Sequence, residues 1–260
     1  MDKISAVQWD KIGTICFTRR EKRNALDRQM ISQIITSMKE MEKSGVQVLI
    51  FRAEADSRVW SAGYDMEDLP SDQTFLTGTY SSPLDSLIRA ICLFPGPVAA
   101  MVNGSVWGGA CEIVLSCDVA IGDSNCSFAV TPAKVGVPYS THGVARFLKR
   151  LPLNVTKEMF FTGRPISATT AQNFQILNHV VDPDQLESFT FQMAREMSLN
   201  APLVIKAIKE QTRILSESKL ISSEAFEYLE DLRRQAFESN DFREGRLAFQ
   251  ERRPPAFRGT

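Results

Sequence analysis

The residues best suited to chemistry are two short runs of mostly small side chains. Ser61-Ala62-Gly63-Tyr64-Asp65 and Gly108-Gly109-Ala110-Cys111-Glu112 each follow an apolar, strand-like segment and lead into a helix. Small residues at a helix start leave backbone N–H groups unshielded, and the helix dipole adds to their attraction for negative charge. Two such starts facing each other would hold an oxyanion between a pair of donors. Taken singly, each run reads more readily as a tight turn or a close helix contact. Cys111 has no adjacent base, so it reads as a small buried hydrophobe.

Alternating apolar and helical patterns place these runs. Residues 6–9 and 14–17 are β-prone and flank Asp10-Lys11-Ile12-Gly13, a hairpin in which Gly13 is expected to supply the unusual backbone angle. Residues 24–41 carry Leu26, Met30, Ile31, Ile34, Ile35 and Met38 at helical spacing. The run 46–51 is almost continuously apolar, as in a buried strand. The polar stretch 71–82 reads as a mobile loop, and residues 84–93 resume helical spacing up to Pro95-Gly96-Pro97. Strands are expected at 98–102, 119–121 and 127–130, with a helix from near Ala110 between the first two, an α/β alternation. Helices are expected over 157–161, 169–177, 186–198 and 201–215, and an amphipathic surface helix over 223–239.

Composition narrows the chemistry. The 260 residues suffice for one large α/β domain, or for a domain with a helical tail. Lys plus Arg number 30 against 31 Asp plus Glu, so no broad basic field exists to gather nucleic acid or an anionic membrane. The two histidines, His142 and His179, make a histidine-rich metal site unexpected, and no metal is expected. Five cysteines without a Cys-x-x-Cys pair read as reduced thiols. With no signal-peptide pattern and no apolar run of about 18 residues, a soluble cytoplasmic protein is expected.

The ordered segments add a family. Arg23-Asn24-Ala25-Leu26, Ser61-Ala62-Gly63-x-Asp65, Asn103-Gly104-x-x-x-Gly108-Gly109-x-x-Glu112, Cys117-Asp118, Gly136-Val137-Pro138, Asn200-Ala201-Pro202 and Glu244-Gly245-x-x-Ala248-Phe249 follow one another along the chain. From about Ala6 to Phe257 the sequence resembles the crotonase (enoyl-CoA hydratase/isomerase) superfamily. The resemblance implies an α/β fold, a crotonase-like spiral of ββα units over residues 1–195, with a C-terminal helical trimerisation region over 196–260. It implies an acyl-CoA thioester as ligand, a homotrimer or a dimer of trimers, and an oxyanion hole made by the N–H groups of Tyr64 and Gly109. Ala62, Gly63, Asp65 and Met66 would line the CoA segment. Arg252 matches a ligand-contacting lysine of the family, although Arg252 and Arg253 read equally as a solvated charge cluster.

The family's hydratases use two glutamates. Glu112 stands in the first place, whereas the second falls at Pro132 or Ala133, neither of which ionises. Adding water across a double bond needs both a base and an acid, so hydration is not expected. Val106-Trp107-Gly108-Gly109-Ala110, Thr131-Pro132, Gly136-Val137-Pro138-Tyr139 and Trp60-Ser61-Ala62-Gly63 are more similar to the superfamily's decarboxylase branch. That likeness implies loss of carbon dioxide from methylmalonyl-CoA, or a close malonyl-type thioester, to give propionyl-CoA with no cofactor beyond the CoA of the substrate. Thr131 and Tyr139 would orient the departing carboxylate. Glu112 would be either catalytic or a buried, hydrogen-bonded carboxylate. The sequence departs from that branch at Tyr64, where histidine is the pattern. The alternatives are a hydratase or isomerase relying on Glu112, and a non-catalytic acyl-CoA-binding or RNA-binding scaffold.

Overall fold

In the computed structural model, which describes residues 2–69, 82–217, 227, 231, 234 and 237–255, the apolar run expected at 46–51 forms a strand at Val48–Ala53. Its side chains alternate between two cores, as a period of two requires. Leu49 and Phe51 join the larger core with Trp60, Leu87 and Val114, while Val48 and Ile50 meet Leu186 and Ala194 on the opposite face. Burial on both sides explains why the run lacks a polar alternation.

The elements are β1 (Ile4–Trp9), β2 (Ile12–Phe17), α1 (Arg28–Lys43), β3 (Val48–Ala53), β4 (Val59–Ser61), α2 (Pro83–Leu93), β5 (Val98–Val102), β6 (Ser105–Trp107), α3 (Gly109–Ser116), β7 (Val119–Asp123) and β8 (Ser127–Ala129). They continue with α4 (Thr141–Arg150), α5 (Leu153–Thr162), β9 (Ile166–Ser167), α6 (Ala168–Asn173), β10 (His179–Val181), α7 (Leu186–Ser198), α8 (Pro202–Glu217) and α9 (Asn240–Glu251). One sheet has the order β1-β2-β3-β5-β7-β10, and a smaller one β4-β6-β8-β9. Pairing is parallel except at β1/β2 and β8/β9. Three successive units, β3-β4-α2, β5-β6-α3 and β7-β8-α4, each give one strand to each sheet before a helix. This is the ββα spiral that the resemblance implied, and it repeats a strand-to-helix corner beside β4 and β6.

Some details differ from expectation. The left-handed residue of the first hairpin is Asp10, with φ 51°, not Gly13. Gly13 is needed for space instead, because a Cβ there would stand 2.7 Å from Met41 Sδ and 3.1 Å from Val46 Cγ1. Helix α1 starts at Arg28 because the Asp27 side chain accepts the Met30 N–H at 2.8 Å. Residues 24–26 stay outside it and brace the site described below. Helix α4 and the three-residue strands β4, β6 and β10 were not foreseen; three residues are too few for a readable alternation. Residues 71–81 of the expected loop, and most of the helix expected over 223–239, lie outside the described residues. Among the described residues, no helix is long and apolar enough to cross a membrane.

Candidate active site

Strand β6 ends at Trp107, and Gly108 then takes φ 53° and ψ −123°, a conformation suited to glycine, before α3 opens at Gly109. As the first helical residue, Gly109 has no carbonyl four positions back to receive its N–H. The other start lies against it. A Cβ on Gly63 (φ 86°) would stand 2.4 Å from Trp107 O and 3.2 Å from Gly109 N, and one on Gly109 would stand 3.7 Å from Tyr64 N. The two runs singled out in the sequence therefore meet backbone to backbone, at a distance that leaves no room for a side chain at Gly63.

Tyr64 is aimed by its neighbours. Leu26 N–H donates to Gly63 O at 2.8 Å and Asp65 N–H to Leu26 O at 2.9 Å, a parallel bridge centred on Leu26 and Tyr64. In such a bridge the intervening residue turns its own N–H away from the partner strand. The phenol points elsewhere, donating to Asp68 Oδ2 at 3.0 Å, an oxygen that also accepts the Arg28 N–H at 2.7 Å. Ala62 N–H donates to Arg23 O at 2.9 Å, and Ser61 Oγ to Asn24 O at 2.7 Å. Asp65 is buried, its carboxylate turned inward to Arg19 Nη1 at 2.7 Å, so only its backbone faces the run. Met66 and Ala62 are half-buried.

On the α3 side the structure brings Glu112 and Tyr139 together. Glu112 is 3% exposed, one turn into a helix whose residues from Gly109 to Leu115 are all buried. Arg146 of α4 donates from Nη1 to Glu112 Oε2 at 2.7 Å, and its Nη2 lies 2.8 Å from Asp85 Oδ1 of α2. Tyr139 precedes α4, with its ring edge-on to Phe160 at 4.9 Å and to Phe147 at 6.2 Å, and its hydroxyl reaches Gly108 O at 3.4 Å. Gly143 makes room for this pair: a Cβ there would meet Tyr139 Cε1 at 2.5 Å and Glu112 Oε1 at 2.9 Å. Burial holds the Glu112 carboxyl above its ordinary range, against the pull of Tyr139 and Arg146. Burial, then the neighbouring Glu112 charge, raises the Tyr139 phenol well above its usual value. Cys111 is pushed up to about 12 by burial, which suits an inert thiol.

Other expected residues are more peripheral. Thr131 is half-buried at the head of a short 3-10 turn, Pro132–Lys134, where the family's second carboxylate would fall. Helix α9 packs on the following turn, since a Cβ on Gly245 would stand 2.0 Å from Val135 O. Arg252, the left-handed cap of α9, is exposed, and Arg253 beside it pairs with Glu244 and Glu251. His142 is exposed at the start of α4, and His179 lies against Phe189 at 5.2 Å, on β10. Among the described residues no three His, Cys, Asp or Glu side chains converge as metal ligands. The sequence reading missed Arg146, Asp85 and Arg19. For Arg146 a signal existed: Ser140, which caps α4 by accepting the Gly143 N–H at 2.9 Å, followed by Val144 and Phe147 at helical spacing.

Comparison with known proteins places this geometry. The family profile for enoyl-CoA hydratase/isomerase matches residues 8–260. The methylmalonyl-CoA decarboxylase of Escherichia coli K12 is 39% identical over 256 residues, 98% of this chain and 98% of that protein. A solved structure of methylmalonyl-CoA decarboxylase in complex with 2-nitronate-propionyl-CoA superimposes with a TM-score of 0.94 at 38% identity, covering 99% of each chain. Another, complexed with 2S-carboxypropyl CoA, gives 0.93 at 37% identity, covering 100% of this chain and 99% of that one. Two facing helix starts, carried on a ββα spiral and matched along almost the whole chain, mean that the protein belongs to the enoyl-CoA hydratase/isomerase (crotonase) family.

Proposed function

We propose that the protein decarboxylates methylmalonyl-CoA, or a close malonyl-type thioester, to propionyl-CoA without metal or organic cofactor. The observation that carries this reading is the close approach of the Tyr64 and Gly109 backbone nitrogens, combined with a Glu112 carboxylate already tied to Arg146 and no ionisable group at Pro132 or Ala133. A reaction served by that inventory needs a stabilised oxyanion and no general base. When the carbon–carbon bond to the carboxylate breaks, its electron pair enters the thioester π-system and carbon dioxide leaves. The resulting enolate oxygen sits between the two N–H groups, each contributing on the order of 3 to 4 kcal/mol at the transition state. The Thr131 hydroxyl and the Tyr139 ring, whose own hydroxyl is turned to Glu112, hold the carboxylate across the plane of the thioester, the geometry in which the breaking bond overlaps that system. The enolate carbon then takes up one proton, giving propionyl-CoA.

CoA lies along Ala62, Gly63, Asp65 and Met66 through their backbone, with Arg252 offering a cation to its phosphates. Residues 196–260 serve assembly into a trimer or a dimer of trimers, and the enzyme works in the cytoplasm. The 39% identity to a methylmalonyl-CoA decarboxylase over 98% of both chains supports the choice of acyl group. The test is incubation with methylmalonyl-CoA and, separately, with crotonyl-CoA, followed by mass analysis. Loss of carbon dioxide from the first and no hydration of the second is the expected result. Hydration of crotonyl-CoA without decarboxylation overturns the reading in favour of a hydratase. Ligand-induced stabilisation with no turnover of either thioester overturns it in favour of a binding scaffold.

A further inference from the structure

We infer that Arg146, braced by Asp85, is a positioning residue that keeps Glu112 as a fixed carboxylate beside Tyr139 and so holds the Tyr139 phenol in its working orientation. The inference rests on the decarboxylase reading and explains why Glu112 is present without the second carboxylate of the hydratases. One guanidinium joins three helices: Nη1 takes Glu112 Oε2 of α3 at 2.7 Å, Nη2 takes Asp85 Oδ1 of α2 at 2.8 Å, and Arg146 itself belongs to α4. A planar fork spanning two carboxylates fixes direction as well as charge, which a lysine ammonium does less well. With Oε2 engaged, Glu112 presents its other oxygen toward Gly143 and the Tyr139 ring.

The charge state matters because it decides which group donates. An ionised Glu112 only accepts hydrogen bonds; a protonated one carries an O–H of its own and can turn the phenol elsewhere. Among the described residues, the titratable groups facing Glu112 are Arg146 from α4, Asp85 from α2, Tyr139 from the segment before α4, and Cys111 on its own helix. Burial pushes Glu112 toward the neutral form, Asp85 pushes the same way, and Arg146 opposes both. Deleting the cation therefore raises the Glu112 pKa further, and activity that needs the carboxylate is lost at a higher pH on acidification. Deleting the Asp85 charge moves that loss the opposite way.

The experiment is the pH profile of kcat for methylmalonyl-CoA in Arg146→Gln, Arg146→Lys, Asp85→Asn and the double variant Arg146→Gln/Glu112→Gln. In Arg146→Gln, kcat near neutrality is expected to fall about tenfold to a hundredfold through lost orientation. KM changes little, and the acid limb appears or moves up by about one pH unit or more. Arg146→Lys returns the limb toward its original position, Asp85→Asn shifts it downward, and the double variant loses it. An Arg146→Gln profile lowered equally at every pH overturns the inference, as does a limb that survives in the double variant. If Arg146→Gln does not fold, Asp85→Asn decides, and an unmoved or raised limb overturns the inference. Should the wild-type protein decarboxylate nothing, the functional reading fails on its own. The charge assignment is then read from the infrared carboxyl band, expected in Arg146→Gln and absent from the double variant; no such band overturns it.

Discussion

The two runs proposed to supply one backbone donor each are built in opposite ways, the first leading into a 3-10 turn at Met66–Asp68 and the second into α3. The second is local: two adjacent glycines, one with a left-handed φ, turn β6 into a wholly buried helix. The first is held from a distance. Residues 61–65 are stitched to residues 23–26 by backbone bonds, and Asp65 is clamped by Arg19, which also donates to Ala25 O at 2.8 Å and lies 3.2 Å from Asp27. Arg23 and Asn24 both take left-handed φ values, 52° and 55°, to bring that brace into place. One donor is thus set by helix geometry and the other by a network, so they should fail differently.

The largest effect separates chemistry from folding at the local start. Gly109→Pro deletes an N–H at the first helical position, where proline's fixed φ is favourable. The added Cβ meets Leu84 Cδ2 at 2.8 Å, the far end of a side chain that can turn. We expect kcat to fall about 100-fold to 1,000-fold, with a melting temperature close to that of the wild type. Full activity in the folded variant would remove Gly109 from the oxyanion assignment.

At the networked start the same blow should fall on stability first. Asp65→Asn leaves the Arg19 guanidinium, only 9% exposed, with Asp27 at 3.2 Å and the exposed Glu21 at 3.8 Å as its carboxylates. Breaking a buried pair from one side costs about 3 to 5 kcal/mol when no other partner remains. The retained Asp27 should hold the loss below about 3 kcal/mol, measured by urea unfolding. Activity per folded molecule should drop by less than in Gly109→Pro. A variant of normal stability with abolished turnover would mean that Asp65 does more than brace the backbone.

The same difference between local and networked construction decides which features are legible in the sequence. The glycine pair stands out because its turn depends on neighbours a few positions away, and the facing run and Glu112 because their residue types recur in a recognisable order, although what holds them lies far along the chain. Strand β3 is legible because burial on both faces leaves an unbroken apolar run, although its bounds shift by two residues. Arg19 and Asp85 are not legible. Each works through a contact 34 or more positions away: Arg19 meets Asp65 across 46 positions, and the Arg146 that holds Asp85 reaches Glu112 across 34. No local period encodes such a contact. At Gly13 the residue type is informative but its reason is not: packing against Met41 and Val46, not backbone angle, excludes a side chain there.

The smallest expected effect tests the position where this chain departs from the decarboxylase pattern. If Tyr64 serves through its N–H, the phenol contributes its bond to Asp68 Oδ2, which helps hold the turn after the donor. Tyr64→Phe removes that bond while leaving the backbone in place. A single neutral-to-charged hydrogen bond at a half-buried site is worth about 1 to 2 kcal/mol of stability, and kcat should change by only about twofold. Because Asp68 also accepts the Arg28 N–H, its carboxylate keeps a partner and the turn should persist. A drop comparable to that of Gly109→Pro would place the phenol at the reacting group. It would also show that the networked start, unlike the local one, contributes a side chain as well as an amide.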